Sequence, residues 1–142
     1  MGLDNGITLI TRQKLNENNV PPYIHLKEDD WYDEYETSGY HYEICYWRKC
    51  WNIRNIVFDL DDINSIDCGM FELEIKHIVE LRTKLIEYLL DIQKWQDDYE
   101  NGQTIWDADD MIPHLAQDII TLKWLAEYMT THRTKVEFYD SY

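Results

Sequence analysis

The chain has 142 residues, a hydrophobic fraction of 44%, and 28 acids against 13 bases for a formal charge of −15. It is long and apolar enough to bury one core, which excludes a disordered chain. The negative charge argues against direct binding of a nucleic-acid backbone or an anionic membrane, and suits a partner with a basic surface.

In chain order, Ile7–Ile10 (ITLI) is β-branched and apolar and predicts a short strand. Residues 16–23, NENNVPPY, predict a loop. The stretch 27–40 follows, in which Glu28, Asp29, Asp30, Asp33, Glu34 and Glu36 surround Trp31, Tyr32 and Tyr35, with Lys27 as its one base. Two readings stand: a solvated segment whose aromatics dip into the core, or an acidic patch with Trp31 and Tyr35 as anchors for a basic groove.

Residues 43–60 predict a helix. Tyr46, Cys50, Ile53, Val57 and Leu60 follow a helical rhythm, Trp47, Trp51 and Phe58 form a second apolar stripe, and Arg48, Asn52, Asn55 and Asp59 line the side opposite the first. This predicts a central helix, covered on two sides, with core tryptophans and one polar stripe facing solvent or a buried polar network. Cys68-Gly69 is a turn signal, and residues 70–73 (MFEL) predict a brief strand. A second helix is expected over 74–95, with Ile75, Ile78, Leu81, Leu85, Leu89, Ile92 and Trp95 as its stripe and Glu80–Lys84 as a favourable pair. Residues 96–103 predict a loop holding a second acidic cluster, Asp97, Asp98 and Glu100.

The third helix starts at Asp109 or Asp110, tolerates Pro113 in its first turn, carries the stripe Met111/Ile112, Leu115, Ile119, Leu122, Leu125 and Met129, and ends near Thr131. Val136 and Phe138 alternate with Glu137 and Tyr139 as a last strand. The fold class expected is therefore α+β, mostly helical: one domain over 1–142, with three amphipathic helices and a small antiparallel sheet joining the N- and C-terminal strands.

The chain carries no phosphate-binding glycine loop and no nucleophile-elbow, zinc-protease or deaminase signature. No catalytic residue, metal or cofactor is expected, and the five histidines read as surface or satisfied side chains. Cys45, Cys50 and Cys68 are an odd number without CxxC spacing, which reads as free thiols in a reducing cytoplasm; His41 and Cys45, four apart, would share a helix face but lack a second ligand pair. No apolar run reaches membrane-spanning length, and no signal peptide or myristoylation site is expected at the N-terminus.

Several motifs together resemble a family of small phage and prophage proteins of unknown function. They are Met1-Gly2-Leu3-Asp4 at the start, Tyr46-Trp47-Arg48-Lys49 followed by Asn52, Cys68-Gly69, the acidic entry Trp106–Asp110 and the Phe138-Tyr139 tail. The chain departs from that pattern in lacking a long Gly/Phe-rich segment before the third helix and a terminal Trp. The resemblance implies viral origin and action in a bacterial cytoplasm, and brings no reaction or cofactor.

The functional expectation is a non-enzymatic accessory protein that binds a basic, nucleic-acid-binding host protein, as anti-CRISPR and other anti-defence inhibitors do, by mimicking nucleic acid. Its contacts would be Glu28, Asp29, Asp30, Trp31, Asp33, Glu34, Tyr35 and Glu36, with Asp97, Asp98 and Glu100 as a second cluster. Two alternatives are a nucleotide-binding or sequestering protein using Trp47, Arg48, Lys49, Trp51, Asn52 and Arg54, and a structural, oligomerising accessory protein.

Overall fold

The computed structural model describes residues 4–28, 39–48, 50–61, 63, 69–94 and 108–141. Its elements are β1 (Asp4–Thr11), β2 (Lys27–Glu28), β3 (Tyr40–Arg48), α1 (Trp51–Phe58), β4 (Gly69–Leu73), α2 (Ile75–Lys94), α3 (Ala108–Thr131) and β5 (Thr134–Ser141). The strands form one antiparallel sheet in the order β2-β3-β1-β5-β4, so the fold is α+β with the first and last strands paired.

The first strand lies in the middle of the sheet. Asp4–Thr11 pairs in register with Tyr40–Arg48 on one side and with Thr134–Ser141 on the other. Asn5, Ile7, Leu9 and Thr11 stand opposite Trp47, Cys45, Tyr42 and Tyr40 in β3, and opposite Asp140, Phe138, Val136 and Thr134 in β5. These residues share the face that meets the helices, because side chains alternate along a strand. Ile7, Leu9, Trp47, Val136 and Phe138 are fully buried there against Ile78, Leu81 and Leu85 of α2 and Leu115, Leu122 and Leu125 of α3. Phe58, Phe71 and Phe138 pack ring against ring, with centroids 5.1–6.0 Å apart.

The expectation of one helix over 43–60 is wrong in its first half. Tyr40–Arg48 is a strand, and a helix begins only at Trp51. The cause is a β-bulge. The register slips between Ile7 and Thr8, which leaves Ile44 without an opposite residue in β1. The inward residues thus fall at Tyr42, Cys45 and Trp47, which breaks the strict alternation that marks a strand, while Tyr46 and Trp47 happen to continue the helical spacing of Cys50, Ile53 and Trp51. Tyr, Ile and Trp suit the strand. Cys50, Ile53, Val57 and Leu60 are buried as the helical pattern requires, but Tyr46 lies on the opposite sheet face, 40% exposed, and Trp51 stands at the start of α1, 51% exposed. The central, doubly covered helix is therefore a strand followed by an eight-residue helix. His41 and Cys45 do not share a helix face; they fall on opposite sides of the sheet.

The other elements follow their apolar spacing. Ile78, Leu81, Leu85 and Ile92 of α2 are buried, whereas Ile75 is exposed; Met111, Leu115, Ile119, Leu122 and Leu125 of α3 are buried. Trp95 lies outside the described residues. Lys84 pairs with Glu87, and Glu80 accepts a hydrogen bond from the Asp61 amide. His77 is a satisfied buried histidine: its Nδ1 accepts from the Glu74 amide at the start of α2, and its Nε2 lies 3.1 Å from the Asp61 carbonyl.

A polar network closes the sheet. Asp140 is buried next to Asn5, which donates to its Oδ1. Arg54 of α1 grips the same carboxylate with two bonds, Nε to Oδ1 and Nη2 to Oδ2, each 2.9 Å. Its guanidinium also lies 4.3 Å from the centre of the Phe58 ring. On the other sheet face Tyr139 lies across Gly6, where an added Cβ would meet the ring and sit 2.7 Å from the Cys45 carbonyl oxygen.

Two outcomes follow. Arg54→Met leaves the Asp140 carboxylate buried without its cation and costs about 3 kcal/mol in urea unfolding, and adding Asp140→Asn recovers more than half of that loss. Gly6→Ala costs about 2 kcal/mol by the same measurement; Tyr139→Ser in that background relieves only part of it, because the Cys45 carbonyl remains in the way.

Candidate functional site

Between β1 and β2 the chain makes a structured loop. Asn16 and Asn19 fold it into a tight turn: Asn19 Oδ1 accepts from the Asn16 amide at 2.7 Å, and Asn16 Oδ1 accepts from the Asn18 amide at 2.8 Å. Asn19 Nδ2 donates back to the Lys14 carbonyl. After Pro21-Pro22 the Ile24 amide bonds to the Pro21 carbonyl, forming a second turn. The loop is tied to the body where the Leu15 amide donates to the Tyr42 hydroxyl (2.8 Å) and where Gln117 of α3 donates to the Tyr23 carbonyl (2.8 Å).

This loop walls a cavity of about 560 Å3 lined by Leu15, Asn16, Glu17, Val20, Pro21, Pro22, Ile24, His25, Leu26, Glu28 and Tyr42. Its walls are mainly aliphatic, and its two charged groups are both carboxylates. On the far side of residues 25–26 lies a second depression of about 300 Å3, between β3 and α3, reached by Glu43, Ile44, Cys45, Tyr46, His114, Gln117 and Asp118.

The floor of the second depression holds a buried carboxylate. Asp118 accepts from Trp47 Nε1 at 2.8 Å and lies 3.5 Å from His114 Nε2. Burial pushes its carboxyl up to about 6, against the opposing pull of His114, the Trp47 indole and the Cys45 thiol. Burial likewise pushes the Cys45 thiol well up, and Asp118 adds to that shift. Cys45 is thus a protonated donor to a carboxylate, the reverse of an activated nucleophile. Among the described residues, Cys45 and Cys50 are free and buried, and no three His, Cys, Asp or Glu side chains are grouped to hold a metal ion.

The same elements blunt the sheet edge. β2 covers β3 only at Glu43 and Tyr42. Beyond it, the Tyr46 carbonyl meets His114 Nε2 at 3.2 Å and the Arg48 carbonyl accepts from Cys50 Sγ at 3.3 Å. Side chains therefore occupy the acceptors that an added strand would use.

Of the expected partner contacts, Glu28 is exposed in β2 and borders the larger cavity. Asp29, Asp30, Trp31, Asp33, Glu34, Tyr35, Glu36, Asp97, Asp98 and Glu100 lie outside the described residues. The alternative ligand face is not assembled. Trp47 points into the core towards Asp118, Arg54 is bound to Asp140, and Asn52 donates to the Tyr88 hydroxyl at 3.1 Å. Arg48 ends β3 as an exposed residue on the sheet's opposite face, Trp51 is exposed on α1, and Lys49 lies outside the described residues.

Sequence reasoning missed Asp118 and the larger cavity. The signals were present: one acid within the apolar stripe Leu115–Ile119–Leu122, and Leu15, Val20, Ile24 and Leu26 spaced through a segment rich in Asn and Pro. No family model matches the chain, and no curated protein or solved structure matches it either.

The Asp118 environment predicts a pH effect. This carboxyl binds its proton more tightly folded than unfolded, so its stabilising contribution is full below pH about 4 and is lost as the pH rises through about 6, a swing of about 3 kcal/mol. Asp118→Asn keeps an acceptor for Trp47 without the titration. Denaturation of both proteins from pH 4 to 7 shows the stability difference moving in the variant's favour by about that amount; a constant difference would refute it.

Proposed function

We propose that this protein is a non-enzymatic accessory protein that binds a basic, nucleic-acid-binding partner protein, presenting carboxylates where that partner takes phosphates. The observation that carries the reading is how the charge is distributed. Several carboxylates of the described body have partners there: Asp140 with Arg54, Asp118 with Trp47, Glu74 with Lys76, Glu87 with Lys84 and Glu137 with Lys135. By contrast, Asp29, Asp30, Asp33, Glu34 and Glu36 follow one another without an intervening base. That run joins β2 to β3, so it is anchored at Glu28 and Gly39.

The second cluster, Asp97, Asp98 and Glu100, joins α2 to α3. Arg82 Nε of α2 donates to the Ile119 carbonyl of α3, tying the two helices that this segment joins. His114 lies beside Tyr46, so this anchor is at the Arg48 end of β3, while the first is at the Tyr40 end. Two anionic tracts anchored at separate places on the fold suit an elongated basic groove better than a single basic spot. The phage-like sequence motifs favour a bacterial host protein as the partner, and anti-CRISPR or other anti-defence inhibition as the role.

Immobilised protein is expected to retain a nucleic-acid-binding protein of basic pI from bacterial lysate at about 50 mM salt and to release it to duplex DNA or to about 500 mM salt. The triple variant Asp29→Lys, Asp30→Lys, Asp33→Lys retains less than about a tenth as much. Equal capture by the variant, or capture indifferent to competing nucleic acid, would overturn the reading.

A further inference from the structure

We infer that the 560 Å3 cavity under residues 15–26 seats an apolar side chain of the partner, carried on a polypeptide segment with Lys or Arg on both sides of it. This inference rests on the proposed function and adds where the anchor goes. Three observations lead to it. Leu15, Val20, Pro21, Pro22, Ile24 and Leu26 give the cavity its apolar walls, with Asn16, Glu17, His25, Glu28 and Tyr42 adding polar groups to the lining, so it suits an occupant with an apolar tip and polar or charged flanks. Its size falls in the range of ligand sites, about 300–1,000 Å3, and is ample for a large aliphatic or aromatic side chain. Its charged lining groups are Glu17 and Glu28, with no Lys or Arg in the lining, so the complementary occupant is apolar at its tip and cationic beside it.

Position supplies the link to the partner. Glu28 both borders the cavity and begins the acidic run 28–36. A basic segment paired with Glu28 is therefore held beside the cavity. The two contributions are of different kinds. Carboxylates steer and set salt dependence, while a desolvated apolar anchor supplies most of the lasting affinity, as hot-spot residues do at interfaces generally. The cavity is held open in advance: the Asn16–Asn19 turn, the Leu15–Tyr42 bond and the Gln117–Tyr23 bond each fix a wall. Little ordering cost is then left for the partner to meet. Pro21 and Pro22 act in the same direction by restricting the backbone.

Two labelled hexapeptides with equal charge test this on the full chain by fluorescence anisotropy: Lys-Arg-Leu-Trp-Lys-Arg, and the same peptide with Gly-Gly at its centre. The Leu-Trp peptide is expected to bind about tenfold or more tightly than the Gly-Gly peptide, and to shift the NMR methyl signals of Leu15, Val20, Ile24 and Leu26. Val20→Trp, which fills the cavity from its half-buried wall, removes that preference while leaving the salt-dependent binding that both peptides share. The peptide pair on the unaltered protein gives the answer even if that variant misfolds. Equal binding of the two peptides overturns the cavity assignment and leaves the acidic-surface reading standing. Binding of neither peptide at low salt overturns both. Benzylamine, as a small cation, binding as tightly as the Leu-Trp peptide overturns the polypeptide occupant.

Discussion

The fold depends on the first strand being inserted between two strands that come much later in the chain. β1 cannot be satisfied locally: its neighbours begin at Tyr40 and Thr134, so both its edges are closed only by long-range pairing. The ends of that strand are secured by polar groups buried on the helix-facing side. At one end Asp140 and Asn5 are held by Arg54 from α1. At the other the hydroxyls of Thr11 and Tyr128 lie 2.7 Å apart, tying β1 to the last turns of α3. Each contact links elements distant in sequence, tying β1 and β5 to the short helix at one end and to α3 at the other.

Buried polar groups recur where β3 meets α3, and there they serve to finish the sheet. Asp118 is costly to bury, and it is kept by donors from Trp47 and Cys45 in the strand. One helical turn earlier, His114 reaches the strand's outward carbonyl at Tyr46. The helix thereby covers an edge that a two-residue β2 leaves bare. An edge finished in this way resists pairing with other strands.

The loop before β2 is fixed by asparagine turns and prolines, it encloses an apolar cavity, and it runs directly into the most acidic stretch of the chain. Glu28 borders the pocket, lies in β2 at the edge of the sheet, and leads in sequence into the acidic run, while several carboxylates of the body have partners of their own. The proposed role needs this separation, since acids neutralised by neighbouring bases would present no phosphate-like array to a basic groove.

Much of this was legible in the residues. The two long helices and the terminal strands follow from the residue pattern, because α2, α3 and β5 each bury one face while the apolar, β-branched β1 is buried on both, and β1 and β5 pair without a break in register. The concentration of acids in two segments is likewise a property of the sequence. Only tertiary structure decided the rest. Tyr40–Arg48 is a strand because β1 and β2 pair with it, with a bulge at Ile44 that interrupts its alternation, and Tyr46 and Trp51 are exposed. Arg54, Trp47 and Asp118 became internal partners because helices and strands far apart in the chain brought a donor to each acceptor, and the cavity's walls are set by a loop that Tyr42 and Gln117 tie to the body. Periodicity reports which face of an element avoids water; it carries no information on which distant group a polar side chain will meet, or on the space left between elements once they have packed.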